Sequence, residues 1–109
     1  MISKKATPPK RTAVPRSFTR TKDFVKDWSR FSRTGRFDMS GLKMVMLLLI
    51  ANDGPLAPEY RDHELSGRWK GYRDCHVHGD FLLLYRLEGK DDDEQIIFAR
   101  IGTHSELFG

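Results

Sequence analysis

The chain has 109 residues, of which 39% are apolar and 31% charged. That is one domain of ordinary size, too short for an eight-fold (β/α) barrel of about 250 residues or for the two halves of a dinucleotide-binding fold. Seven Phe, three Tyr and two Trp supply a small core and argue against a disordered chain.

The longest apolar run, Met44 to Ala51, is eight residues, well short of the ~20 needed to span a bilayer. The opening residues show no signal-peptide pattern, and the single Cys75 allows neither an internal disulfide nor a Cys-rich zinc site. These features predict a cytoplasmic protein with no membrane partner. Charge is divided unevenly. Residues 1–43 hold twelve Lys/Arg against three Asp, whereas residues 44–109 hold seven against twelve Asp/Glu. A basic first half predicts a polyanionic partner, with RNA, DNA and an acidic protein as candidates.

In chain order, residues 1–16 carry three of the five prolines, five basic residues and no acid. They read as a flexible basic arm with a short edge strand near residues 12–14. A first helix is expected from Thr19 to Arg33, capped by Ser17 or Thr19. Its stripe of Phe24, Val25, Trp28 and Phe31 faces the core, and Lys22, Lys26, Arg30 and Arg33 lie mainly on the other side. A second helix is expected from Met39 to Asn52, capped by Asp38, stopped by Gly54 and Pro55, and buried through Met39, Leu42, Val45, Met46, Leu49 and Ile50. Short-linked, the two form a hairpin.

Residues 55–67 read as loop. From Arg68 the period becomes two, with Trp69, Gly71, Arg73, Cys75 and Val77 on one face and Arg68, Lys70, Tyr72, Asp74, His76 and His78 on the other. Gly79-Asp80 makes a turn, and Phe81 to Leu87 reads as a central strand. The polar stretch Gly89–Glu94 turns the chain into a third strand, Gln95 to Ile101, followed by a short tail. The expected fold is α+β, a two-layer arrangement with the helical hairpin packed on an antiparallel sheet of three to four strands. Residues 17–109 form the domain.

All four histidines, His63, His76, His78 and His104, fall in the last 47 residues. RNA carries its own nucleophile, the 2′-hydroxyl. A base, an acid for the leaving 5′-oxygen and a cation for the phosphate therefore suffice to cleave it, and imidazole serves either proton-transfer role near neutral pH. A strand face bearing Lys70, Tyr72 and His76, with Asp80 at its end, would be a platform for such chemistry. His76-Val-His78-Gly-Asp80 also has the H-x-H-x-D form of a metallo-β-lactamase motif. That motif continues with a histidine where this chain has Phe81, and a zinc site needs three or four ligands, so no metal is expected.

The stretch Pro58-Glu-Tyr-Arg-Asp-His63-Glu-Leu-Ser-Gly-Arg-Trp-Lys-Gly-Tyr-Arg-Asp-Cys-His76 resembles the signature of YafQ-type toxins in the RelE superfamily. So do Asp80-Phe-Leu-Leu-Leu-Tyr-Arg86 and the ending Arg100-Ile-Gly-Thr-His104-Ser-Glu-Leu-Phe108-Gly. The resemblance covers residues 17–109. It implies a RelE-like fold and the toxin of a type II toxin–antitoxin system: a ribosome-dependent endoribonuclease that cuts messenger RNA in the A site without a metal or other cofactor and so inhibits translation. The catalytic histidines of the family match His63, His76 and His104, its aspartate matches Asp80, its phosphate-binding arginine Arg100 and its C-terminal aromatic Phe108. The aromatic after the aspartate is commonly Trp in the family and is Phe81 here, and His78 replaces an acidic residue.

On this reading, His76, Asp80 and His104 share proton transfer and Arg100 holds the scissile phosphate. His63 sits on a loop that closes the site. Lys70 and Tyr72 contact RNA, Phe81 and Phe108 stack against bases, and Lys22, Lys26, Arg30 and Arg33 bind ribosomal RNA backbone. The expected partners are ribosome-bound message, a cognate antitoxin and, only through that antitoxin, operator DNA. The competing reading is a catalytically inactive RelE-fold partner that acts with an antitoxin as a DNA-binding repressor.

Overall fold

The computed structural model describes residues 14–109, and the statements below concern these residues. Of the arm expected at residues 1–16, the first thirteen lie outside them, with most of the edge strand expected near residues 12–14. The last residue of the arm is anchored: the Arg16 backbone N–H donates to the Ile50 carbonyl at 2.8 Å, and its side chain bonds the Leu49 carbonyl and Glu94, each at 2.7 Å.

The elements are β1 (Ser17–Arg20), α1 (Lys22–Ser32), α2 (Met39–Ala51), β2 (His63–Glu64), β3 (Arg73–His78), β4 (Phe81–Glu88), β5 (Gln95–Gly102) and α3 (His104–Phe108). The strands form one sheet in the order β1-β5-β4-β3-β2, antiparallel except that β1 runs parallel to β5. The α+β class holds, with five strands rather than three or four.

The expected start of the first helix is corrected. Ser17–Arg20 is a strand on the free edge of β5, and the cap is Thr21. Its hydroxyl accepts the Phe24 N–H at 3.0 Å and donates to the Ala99 carbonyl at 2.8 Å. One side chain thus caps α1 and closes the edge of β5 beyond the last β1 pair. Asp38 caps α2 as expected, accepting the Gly41 N–H at 2.8 Å. The helix ends on Asn52 in the left-handed region, before Gly54 is reached.

The hairpin packs on one sheet face. Phe24, Phe31, Leu42, Val45 and Leu49 meet Cys75, Phe81, Leu83, Tyr85, Ile96, Phe98 and Ile101 in the main core. Val25, expected in the buried stripe, is 44% exposed, and buried Asp27 takes the inward i+3 position beside Phe24. The opposite face carries a smaller cluster of Leu82, Leu84, Ala99 and Leu107, flanked by Leu65, Trp69, Tyr72 and Phe108. The expected tail is the short helix α3, held by a capping box in which Thr103 and Glu106 satisfy each other's backbone N–H groups. Buried Leu107 seats α3 on this second face.

Candidate active site

The strand expected from Arg68 starts only at Arg73. Gly67–Trp69 is a single 3₁₀ turn, and Gly71 sits at φ +94°, which breaks the extended chain. Within β3 the alternation then holds. Asp74 lies opposite Leu84 and His76 opposite Leu82, the two leucines of the second cluster. Cys75 points into the main core with Leu83.

The alternation fails at the end of β3. The register slips between His76 and His78, and His78 pairs with Phe81, whose side chain faces the main core. The strict alternation expected for His76 and His78 is therefore interrupted, although both line the cleft beside the turn. Among the described residues no group of three or more His, Cys, Asp or Glu is arranged to hold a metal ion.

The segment expected as loop before the strands holds β2, and His63 lies on it rather than on a loop, paired with Asp74. Asp74 pairs with Leu84, and Leu84 with Arg100. Directly opposite residues on neighbouring strands share a face. His63, Asp74, Leu84 and Arg100 thus form a row across the sheet on the second face, with steps of about 4.8 Å. His76, Leu82 and Gly102 form the next row.

Asp74, to which the family resemblance gives no role, is the hub. It is 2% exposed. Its Oδ2 lies 3.9 Å from His63 Nε2, and its Oδ1 has no hydrogen-bond partner. Burial pushes its pKa above the ordinary carboxylate value, while the imidazoles of His63, His76 and His104 each pull it down. His63 lies across from Asp74 on β2, and His76 lies two residues along β3 on the same face. A single sequence shows this residue only as an acid on the histidine-bearing face.

Two of the imidazoles are oriented by carbonyl oxygens. His63 Nδ1 lies 2.7 Å from the Arg61 carbonyl and His76 Nδ1 3.2 Å from that of Gly79. A carbonyl only accepts, so each Nδ1 carries the proton and each Nε2 is left as the proton-accepting nitrogen of the neutral ring. His104 opens α3, its ring 4.9 Å from that of Phe108. Asp80, in the turn between β3 and β4, accepts the His104 backbone N–H at 2.9 Å. An open cleft of about 500 Å³ beside the turn is lined by Tyr60, Arg61, His76, His78, Gly79 and Asp80.

The remaining expected residues divide. Arg100 lies on the site face, but its guanidinium is held by Asp27 of α1, with Nε donating to Oδ2 at 2.7 Å and Nη2 to Oδ1 at 3.1 Å. Phe81 is 3% exposed and packs against Phe31 and Phe37 at centroid distances of 5.6 and 5.0 Å. This corrects the stacking role expected for it: the ring is a core ring, out of reach of a base. Phe108 is half-buried at the margin of the second cluster, beside His104. Tyr72 flanks the same cluster, its hydroxyl accepting from Arg86 at 3.0 Å, and Lys70 is exposed on the preceding turn. Lys22, Lys26 and Arg33 are exposed on α1. Arg30 is engaged, 3.2 Å from Glu106 and 3.7 Å from Asp27.

Helical hairpin and five-stranded sheet together give a RelE-like α+β fold. The family model described as "Bacterial toxin of type II toxin-antitoxin system, YafQ" matches residues 16–109, and the chain belongs to that family. It is 51% identical over 72 residues to the mRNA interferase toxin YafQ of Escherichia coli strain K12, covering 66% of this chain and 74% of that protein. The toxin in a crystal structure of the E. coli DinJ–YafQ toxin–antitoxin complex is 42% identical and superimposes with a TM-score of 0.74, covering 88% of this chain and all of that one. A metal-bound toxin from Helicobacter pylori is 35% identical with a TM-score of 0.72, over 85% of this chain and 99% of that one.

Proposed function

We propose that this protein is the toxin of a type II toxin–antitoxin pair and acts as an endoribonuclease on messenger RNA in the ribosomal A site. The observation that carries the reading is a sheet face on which His63 and His76 flank buried Asp74, with Asp80 accepting from the first residue of the helix that bears His104. The relatives named as mRNA interferases and the DinJ–YafQ complex support it.

The chemistry is general acid–base transesterification. An imidazole Nε2 takes the 2′-hydroxyl proton, the 2′-oxygen attacks phosphorus, and the P–O5′ bond breaks as a protonated group supplies hydrogen to the leaving oxygen. The products are a 2′,3′-cyclic phosphate and a 5′-hydroxyl. His63 and His76, with Nδ1 anchored on carbonyls, are set to accept a proton. His104, attached to Asp80 through its backbone, is the partner that donates. Arg100 stabilises charge developing on the phosphate, Phe108 stacks on a base, with Lys70 and Tyr72 beside it, and Lys22, Lys26 and Arg33 contact ribosomal RNA backbone. No metal takes part in this scheme.

The partner that restrains the toxin is a cognate antitoxin, and operator DNA is reached only through that complex. Action on the ribosome places the protein in the cytoplasm; among the described residues no helix is long and apolar enough to cross a membrane.

Primer extension on ribosome-bound message after induction tests the reading, with His76→Ala and His104→Ala beside the parent chain. Cuts at defined codon positions in the parent, abolished in both variants and unchanged by a chelator, are expected. Equal behaviour of all three chains removes the nuclease reading and leaves a non-catalytic repressor partner. Loss of cutting in chelator removes the metal-free scheme.

A further inference from the structure

We infer that Asp27 is a positioning residue that fixes the direction in which Arg100 presents its guanidinium; the inference rests on the proposed nuclease activity. Asp27 lies on the buried stripe of α1 at i+3 from Phe24 and is 4% exposed. A carboxylate there must be paired to be tolerated. Its Oδ2 accepts the Ile101 backbone N–H at 3.1 Å and the Arg100 Nε–H at 2.7 Å, and its Oδ1 accepts Arg100 Nη2–H at 3.1 Å. The guanidinium is thus locked, through Asp27, to the backbone of the strand that carries it.

The side matters. A guanidinium has five N–H groups. Asp27 takes two on the Nε/Nη2 edge, leaving three, of which one on Nη1 and one on Nη2 form the end-on edge. That edge is itself a two-point match for a phosphate. Engagement by Asp27 therefore leaves one two-point edge available to a phosphodiester, and it removes the torsional freedom that a long side chain would otherwise lose on binding. Arg100 lies two strands from Asp74 in the same row, so its direction decides whether that free edge can serve a phosphate bound over the histidine face. Arg30, 3.7 Å from Asp27 and bonded to Glu106 of α3, ties the same carboxylate to the helix bearing His104.

Asp27→Asn isolates the interaction. The amide oxygen can still accept from Ile101, but the amide nitrogen presents hydrogens where Arg100 needs an acceptor. Cleavage of message on programmed ribosomes is expected to fall roughly 10- to 100-fold in kcat, with KM within about twofold because the basic α1 face is untouched. In an Arg100→Ala background the same substitution should add less than about a twofold loss, since its target is gone. Parent-level or faster cleavage by Asp27→Asn overturns the inference, as does an equal further loss in the Arg100→Ala background, which would mean a fold effect alone. Should Asp27→Asn not fold, Arg100 Nε–H exchange in the parent, read by NMR, decides: protection is expected, and exchange at the rate of a free side chain overturns the inference. A parent chain that does not cleave defeats the nuclease reading instead, so the two failures are separable.

Discussion

Asp80 Oδ1 accepts the backbone N–H of His104 at 2.9 Å, so the turn between β3 and β4 is joined to the first residue of α3. The hydrogen bond is solvent-exposed, and water replaces it at small cost. Asp80→Ala is expected to lower the melting temperature by no more than about 5 °C while reducing message cleavage at least about tenfold, because His104 loses its fixed entry to the site. Thermal melts beside a cleavage assay separate the two effects.

Asp74 makes stability and activity oppose each other. Burial raises its pKa above 3.8 in the fold, so the folded state holds a proton more tightly than the unfolded chain does. The contribution of this group to stability is therefore greatest at low pH and declines as pH rises from about 3.8 through the raised folded value. Asp74→Asn should be more stable than the parent at pH 7, with the gap closing toward pH 4 in denaturant titrations. The same variant should cleave less, having no carboxylate beside His63.

Phe81 and Phe108 should separate in a pair of alanine substitutions. Phe81→Ala empties a space between Phe31 and Phe37 and should cost about 3–5 kcal/mol, a large part of the stability of a small domain. Phe108→Ala should cost less in a denaturant melt and more in the cleavage assay, because its ring abuts His104 at the site margin.

The exposed cations of α1 should be read by salt. Replacing Lys22, Lys26 and Arg33 with alanine should weaken ribosome binding and flatten its dependence on salt, by up to about 0.7–0.9 in log–log slope for each phosphate no longer neutralised. Arg30→Ala should differ by also loosening α3, whose Glu106 it pairs. Binding measured from low to moderate salt shows whether the four residues fall into these two groups.

Legibility in the sequence followed the range of the interactions. The second helix and its Asp38 cap were readable because cap and stripe lie within one short window. Strand β1 was not: its four residues are all exposed, and its partner strand starts at Gln95, so nothing local marks it. The slip between His76 and His78 leaves the polar pattern intact and changes only the pairing, so the sequence carries no mark of it. For the site, the identities of His63, His76 and His104 came from a resemblance, whereas the place of Asp74 beside His63 needed cross-strand register. Asp27 did leave a local trace, an acid where the Phe24 stripe calls for an apolar side chain.

The parallel pairing of β1 with β5 has a consequence for synthesis. Residues 17–20 wait for a partner that begins at residue 95, a long-range closure of the kind that folds late. Arg100 and His104 follow that partner in the chain. On the proposed mechanism, any nascent fragment that stops before residue 95 therefore lacks both the strand that pairs with β1 and two of the groups assigned to the chemistry.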